Sequence, residues 1–246
     1  MPITENQTPG IAALVPEIAR VEAAFRLLPR NVFVVADNAP VIATELGIPT
    51  ETVIEILQNP NPALYVDVPP GLQRISDAGS LPVVWTQGHL DEDVQFDALT
   101  QTSDLSFQSL KVVRSGLHTH LQRFGDRLFE IGIPGIFGGF DKCDPNVVLP
   151  ILDTARQRGI ERIVAVDDLG ENLIRMGELS RILNIPYTPV LINRILDKEQ
   201  TGIIRSFDEL RIFRNALYLL DLDRTQIDTD AMKDDLYLRL AERLSF

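Results

Sequence analysis

Short apolar runs alternate with helix-period stretches through most of this chain, and few folds accommodate that alternation. Leu81 to Trp85, Arg162 to Val166 and Pro189 to Ile195 are short and largely apolar without a break. Such runs read as strands buried on both faces, as in a parallel sheet. Val32 to Ala36 has the same character and ends at Asp37. Residues 11–29, Thr50 to Gln58, Leu72 to Ala78, Phe107 to Leu117 and Asn146 to Gln157 carry helical spacing or helix punctuation. The predicted class is α/β, a three-layer Rossmann-like parallel sheet with helices on both faces. Ligands of such sheets bind at the carboxyl ends of the strands, so the polar residues there are the ones to weigh.

Composition narrows the function classes. The 246 residues are 45% hydrophobic and 24% charged, a globular balance. Asp and Glu number 35 against 23 Lys and Arg, a formal net charge of -12. That excess argues against nucleic acid and against an anionic membrane surface as partners. An anionic substrate would need a local positive site. The single cysteine, Cys143, allows no intrachain disulfide, the N-terminal stretch has no signal-peptide pattern, and no apolar run approaches a membrane span. A soluble, cytoplasmic protein is the expectation. Acidic residues around 91–97 and 221–235 read as solvated surface.

Four strand-end signals follow one another: VFVVADNAPV with Asp37, PVVWTQG with Thr86, FGGFDKCDP with Lys142, and IVAVDDLGEN with Asp167, Asp168 and Asn172. Taken singly each has an ordinary reading: a turn or cap for Thr86, a solvated charge for Lys142, a helix cap for the Asp167–Asp168 pair. Taken together they suit phosphoryl transfer through a carboxylate. An aspartate attacks phosphorus, a hydroxyl and a lysine hold phosphoryl oxygens, and further aspartates hold a Mg²⁺ that offsets charge. In this order the motifs resemble the haloacid dehalogenase (HAD) superfamily of hydrolases over about residues 30–195. Thr86 resembles that family's second motif, Lys-Cys-Asp-Pro at 142–145 its third, and Asp-Asp-Leu-Gly-Glu-Asn at 167–172 its fourth.

The first motif departs from the family's Asp-x-Asp-Gly-Thr or Val. In one register Asp37 is the nucleophile, Ala39 replaces the second Asp, Pro40 replaces Gly and Val41 matches Val. In the other, Asp37 is the second Asp, Val35 replaces the nucleophile and the protein is a pseudoenzyme. The first register is preferred, because a full apolar strand then precedes the nucleophile. The resemblance implies catalytic roles for Asp37, Thr86 and Lys142, and a Mg²⁺ held by Asp37, the Ala39 carbonyl, Asp167 and Asp168. The family's second Asp also serves as general acid and base, so Ala39 would weaken activity about 10²–10⁴-fold.

The organisation expected is a tail and helix over 1–29, a HAD-like core over 30–199 with a minimal cap at about 42–66, and a C-terminal helical extension over 200–246. That extension would hold one helix opening at Ser206-Phe207-Asp208-Glu209 and another from about Asp230 to Leu244. A cap this small leaves the cleft open, to be covered by the C-terminal helices or by a partner chain in a homodimer. The expected function is Mg²⁺-dependent hydrolysis of a small phosphate ester. The alternative is an inactive HAD-like binding or scaffold protein. A receiver domain is disfavoured because its acidic pair follows the first strand. Neither GxxxxGK nor GxGxxG occurs. His118-x-His120 lacks a third ligand, and Cys143 lacks a paired base.

Overall fold

The computed structural model describes residues 11–28, 35–87, 107–117, 119–120, 136–139, 141–157, 159–195 and 200–245. Among the described residues six strands form one sheet: β1 (Leu81–Gln87), β2 (Ile136–Gly139), β3 (Arg162–Asp167), β4 (Tyr187–Ile192), β5 (Ile203–Ile204) and β6 (Ala216–Leu220). Their order is β2-β1-β6-β3-β4-β5. Every neighbouring pair is parallel. The helices among the described residues are α1 (Val15–Arg26), α2 (Val35–Leu46), α3 (Thr50–Leu57), α4 (Val68–Asp77), α5 (Phe107–Arg114), α6 (Pro145–Gln157), α7 (Gly170–Ile182) and α8 (Thr229–Leu244). None of them is long and apolar enough to cross a membrane.

The period-two alternation of strand side chains divides the sheet core into two clusters. Val84, Val164, Val166, Tyr218 and Leu220 pack with Val68, Leu72 and Ile75 of α4. The intervening residues Val83, Trp85, Ile163, Ala165, Leu217 and Leu219 pack with Val148 and Leu152 of α6 and with Leu173 and Met176 of α7. The chain is thus an α/β fold around an all-parallel sheet, as its apolar runs predict.

A third cluster contains no strand residue. Val21 and Ala24 of α1, Ile42 and Leu46 of α2, Val53 and Leu57 of α3, Leu110 of α5, and Met232, Leu236 and Leu240 of α8 bury one another. Met232, Leu236 and Leu240 form one stripe of α8, and that stripe is buried here.

Two elements differ from the sequence expectation. Val35 and Ala36 are not strand: they open α2, and Asp37 stands exposed in its first turn. Residues 32–34 lie outside the described residues, as do the whole acidic stretch 89–105 and His118. A continuous apolar run carries no period. The deciding signal is the spacing of Val35, Ala39, Ile42, Ala43 and Leu46, which puts one buried stripe on a helix. Pro40 sits inside that helix on its exposed side.

The second difference lies beyond residue 200. No helix opens at Ser206; a single 3-10 turn, Phe207–Glu209, takes its place. Phe207 is fully buried in the core under α4, and its N–H donates to Asp67, so tertiary burial overrides the capping pattern. The apolar run Ala216–Leu220 then becomes β6, in the interior of the sheet and buried throughout.

The contact between α4 and Phe207 is close enough to test. A Cβ at Gly71 would meet the Phe207 ring at 2.7 Å and its Cβ at 2.8 Å. Gly71→Ala gains about 1 kcal/mol of helix propensity, yet the overpacking should dominate and destabilise by about 1–3 kcal/mol. The check is the urea midpoint, which should fall; a rise would mean that Phe207 can move aside.

Candidate active site at the carboxyl edge of the sheet

All six strands run the same way, so their carboxyl ends meet at one edge. The chain passes from β1 outward to β2, then crosses to β3 and continues outward to β4 and β5. Between the two halves lies β6. Crevices form where a strand order reverses in this manner. Val84 of β1 and Val166 of β3 both lie opposite Leu220 of β6. Trp85, Asp221 and Asp167 therefore form the next row across the sheet, and Thr86 lies one position further along β1.

Asp221 follows β6 directly, and its N–H donates to the Val166 carbonyl at 2.9 Å. Carboxylate oxygens of Asp167, Asp168 and Asp221 lie within 4.8 Å of one another. Lys142, three residues beyond β2, extends its ammonium between two of them. Its Nζ is 2.6 Å from Asp167 Oδ2 and forms a second ion pair with Asp221 Oδ1. Lys142 is 2% exposed and Asp167 0%.

The neighbours explain this placement. Trp85 Nε1 donates to the Lys142 carbonyl at 2.8 Å, and the Lys142 ammonium lies 4.4 Å from the centre of the Trp85 ring. A buried cation over an indole face is stabilised by the ring quadrupole. Asp167 Oδ1 accepts from the Leu169 N–H at 2.8 Å, an Asx turn at the end of β3. Asn172, in α7, donates from Nδ2 to Asp167 Oδ2 at 3.2 Å. Residues 167–172 thus form one hydrogen-bonded unit.

The loop after β6 is held by other groups. Asp223 Oδ1 lies 2.5 Å from Lys111 Nζ, and the Thr229 hydroxyl donates to it at 2.8 Å. Arg224 has a positive φ of 56° and pairs with Asp230. Arg194, at the end of β4, donates to the Thr225 carbonyl at 2.6 Å, pairs with Asp67 at 2.6 Å and stacks on Tyr65 at 4.3 Å. The Gln226 amide donates to the Leu220 and Asp221 carbonyls.

The electrostatics run in one direction. Three carboxylates gather around one ammonium, a formal balance of −3 + 1 = −2. Burial pushes the Asp221 carboxyl pKa upward; Lys142 opposes this, while Asp167 and Asp223 add to it. Burial, then Asp167, also raises that of Asp168. Burial alone would pull the Lys142 ammonium down, but Asp221 and Asp167 outweigh it and raise it. Each shift favours the protonated form of its group. An all-oxygen set of this kind suits a hard divalent ion.

Thr86, Lys142, Asp167 and Asp168 are brought to this edge, but Asp37 and Ala39 are not. Asp37 is an exposed helical residue and is not part of the acidic cluster. Ala39 is fully buried in the all-helical cluster. Local acidity places Asp221 on the solvated surface, yet it is 6% exposed. The signal that could have found it is Ala216 to Leu220, five buried apolar residues running into Asp221-Leu222-Asp223-Arg224-Thr225. Cys143 is buried, and desolvation pushes its thiol up to about 11, away from the thiolate form a nucleophile uses. No family model matches the chain, and neither a curated protein nor a solved structure does.

Replacing Lys142 by Met leaves the buried Asp167 and Asp221 carboxylates facing each other. Breaking a buried pair in this way costs about 3–5 kcal/mol. Chemical denaturation of Lys142→Met should show that loss. A change below about 1 kcal/mol, the range of an exposed pair, would mean that water already screens the site.

Proposed function

We propose that the protein is a HAD-like phosphohydrolase whose first motif is Asp221-Leu222-Asp223-Arg224-Thr225, carried last in the chain rather than first. The observation that carries this reading is the convergence of Asp221, Lys142, Asp167 and Asp168 at the carboxyl ends of parallel strands. The five residues fit the family's Asp-x-Asp-Gly-Thr with one departure, Arg224 for Gly. Arg224 adopts the left-handed backbone that a glycine would favour. On this reading the sheet with α4 on one face and α6 and α7 on the other is the three-layer HAD-like core. The all-helical cluster stands where a cap would, larger than the minimal cap expected from residues 42–66.

The roles follow by motif. Asp221 Oδ attacks phosphorus of a phosphate monoester, and the P–O bond to the leaving alcohol breaks. The alcohol oxygen takes a proton from the Asp223 carboxyl. In the second step water gives a proton to Asp223, its oxygen bonds to phosphorus and the P–O bond to Asp221 breaks. Inorganic phosphate leaves and Asp221 is again a carboxylate. Thr86 and Lys142 hold phosphoryl oxygens, and Lys142 also offsets the repulsion between Asp221 and the substrate. Asp221, Asp167 and Asp168, with the Asp223 carbonyl, would hold Mg²⁺. When bound, that ion supplies charge neutralisation at the transferring phosphoryl group. The donor set fits it, since three carboxylates and one ammonium leave two negative charges to balance.

The inactive alternative rests on Ala39, Pro40 and the small cap. With the first motif at 221–225 both of its acids are present, so that support falls away. A small phosphate ester is the partner this reading implies.

The test is hydrolysis of an aryl phosphate with Mg²⁺. Asp221→Asn should lower kcat by at least about 10³-fold, as removal of a nucleophile does. Asp37→Asn should leave turnover within about twofold, since its carboxylate is exposed on a helix. Equal activity for wild type and Asp221→Asn, across a panel of phosphate esters, would sink the proposal in favour of a binding role. A second check needs no activity. Mg²⁺ should raise the melting temperature of wild type, and Asp168→Asn should abolish most of that rise.

A further inference from the structure

We propose that Lys111 is the positioning residue for the Asp223 carboxylate and supports turnover through Asp223 rather than by touching substrate. The inference rests on the hydrolase reading above, in which Asp223 moves the proton in both steps. It adds a residue from outside all four motifs.

Lys111 is 4% exposed, and its ammonium is 2.5 Å from Asp223 Oδ1. The backbone that carries it is pinned on both sides. Leu110 belongs to the all-helical cluster, while Val112 belongs to the sheet core under α4. The ring of Phe107, one turn earlier on α5, lies 5.9 Å from the ammonium. Thr229, the first residue of α8, donates to the same carboxylate oxygen at 2.8 Å. Two helices that help bury the all-helical cluster thus supply both donors to Asp223 Oδ1. A buried lysine loses much side-chain freedom, while a pair with the 37% exposed Asp223 side chain returns little stability. Fixing the direction of a carboxylate is what such a contact does well. General acid–base groups act only within hydrogen-bond reach of the proton they move, so a carboxylate free to rotate would lose rate without losing binding.

The experiment uses the full chain with Mg²⁺ and p-nitrophenyl phosphate, followed before and during steady state. This leaving group departs without a proton, so the first step survives loss of Asp223 while the second does not. Lys111→Met should show a burst of about one p-nitrophenol per protein, then a steady rate about 10–100-fold below wild type, with KM lowered in the same proportion, because slowing only the second step leaves kcat/KM unchanged. Asp223→Asn should behave in the same way. The double variant should be no slower than Asp223→Asn alone, because both changes remove one function. Lys111→Arg should recover most of the rate. If Lys111→Met does not fold, Lys111→Gln carries the same comparison. Losses that multiply in the double variant overturn the proposal, and so does a Lys111 variant that lowers burst and steady rate in equal proportion. Absence of any hydrolysis by wild type, here and with alkyl phosphates, overturns the hydrolase reading itself and this inference with it. Hydrolysis that is insensitive to Lys111 overturns only the inference.

Discussion

The Lys142 ammonium, set between the Asp167 and Asp221 carboxylates, is the contact on which the rest of the structure turns. Three strands deliver these groups: β2 leads to Lys142, β3 ends in Asp167, and β6 runs into Asp221. Without a cation there, a fully buried apolar strand could not end in an acid beside another acid, because two unpaired carboxylates would each demand several kcal/mol of desolvation. The pair does not complete the neutralisation. Asp168 adds a further carboxylate, so the edge of the sheet gathers more acid than the one lysine balances.

Rigidity at this edge comes from residues that do no chemistry. Trp85 holds the Lys142 backbone and offers its ring to the ammonium. Asn172 orients Asp167. Arg194 ties the loop after β6 to α4 through Thr225 and Asp67. The candidate groups are therefore preorganised by side chains whose own partners are buried, the condition under which electrostatic stabilisation is worth most.

The fold class was legible in the sequence because buried parallel strands are short apolar runs, and β1 and β3 are of that kind. Lys142, Asp167 and Asp168 were legible for a related reason: each follows a strand and meets a recognisable turn or helix start. Asp37 misled because five apolar residues before an acid carry no period, and only the continuation through Ala39, Ile42 and Leu46 reveals a helix. Asp221 escaped because its neighbours Asp223, Asp228 and Asp230 make the segment look solvated. Local acidity cannot distinguish a carboxylate in water from one facing a lysine brought from 79 residues away. The roles of Lys111 and Arg194 were invisible for the same reason, since both act on the 221–225 segment from distant parts of the chain.

The position of β6 has a consequence for how the molecule is made. Among the described strands it is the last in the chain, yet it lies between β1 and β3. On a translating ribosome, about ten seconds separate the emergence of β1 from that of β6 at ordinary elongation rates. Through that interval β1, and β3 once it has emerged, each lack one of their two neighbours, and the open apolar edge is a template for any other strand. The nascent chain is thus committed to a late insertion. The same step that closes the sheet also delivers Asp221 to Lys142, so a partly synthesised chain holds neither a complete core nor a complete site.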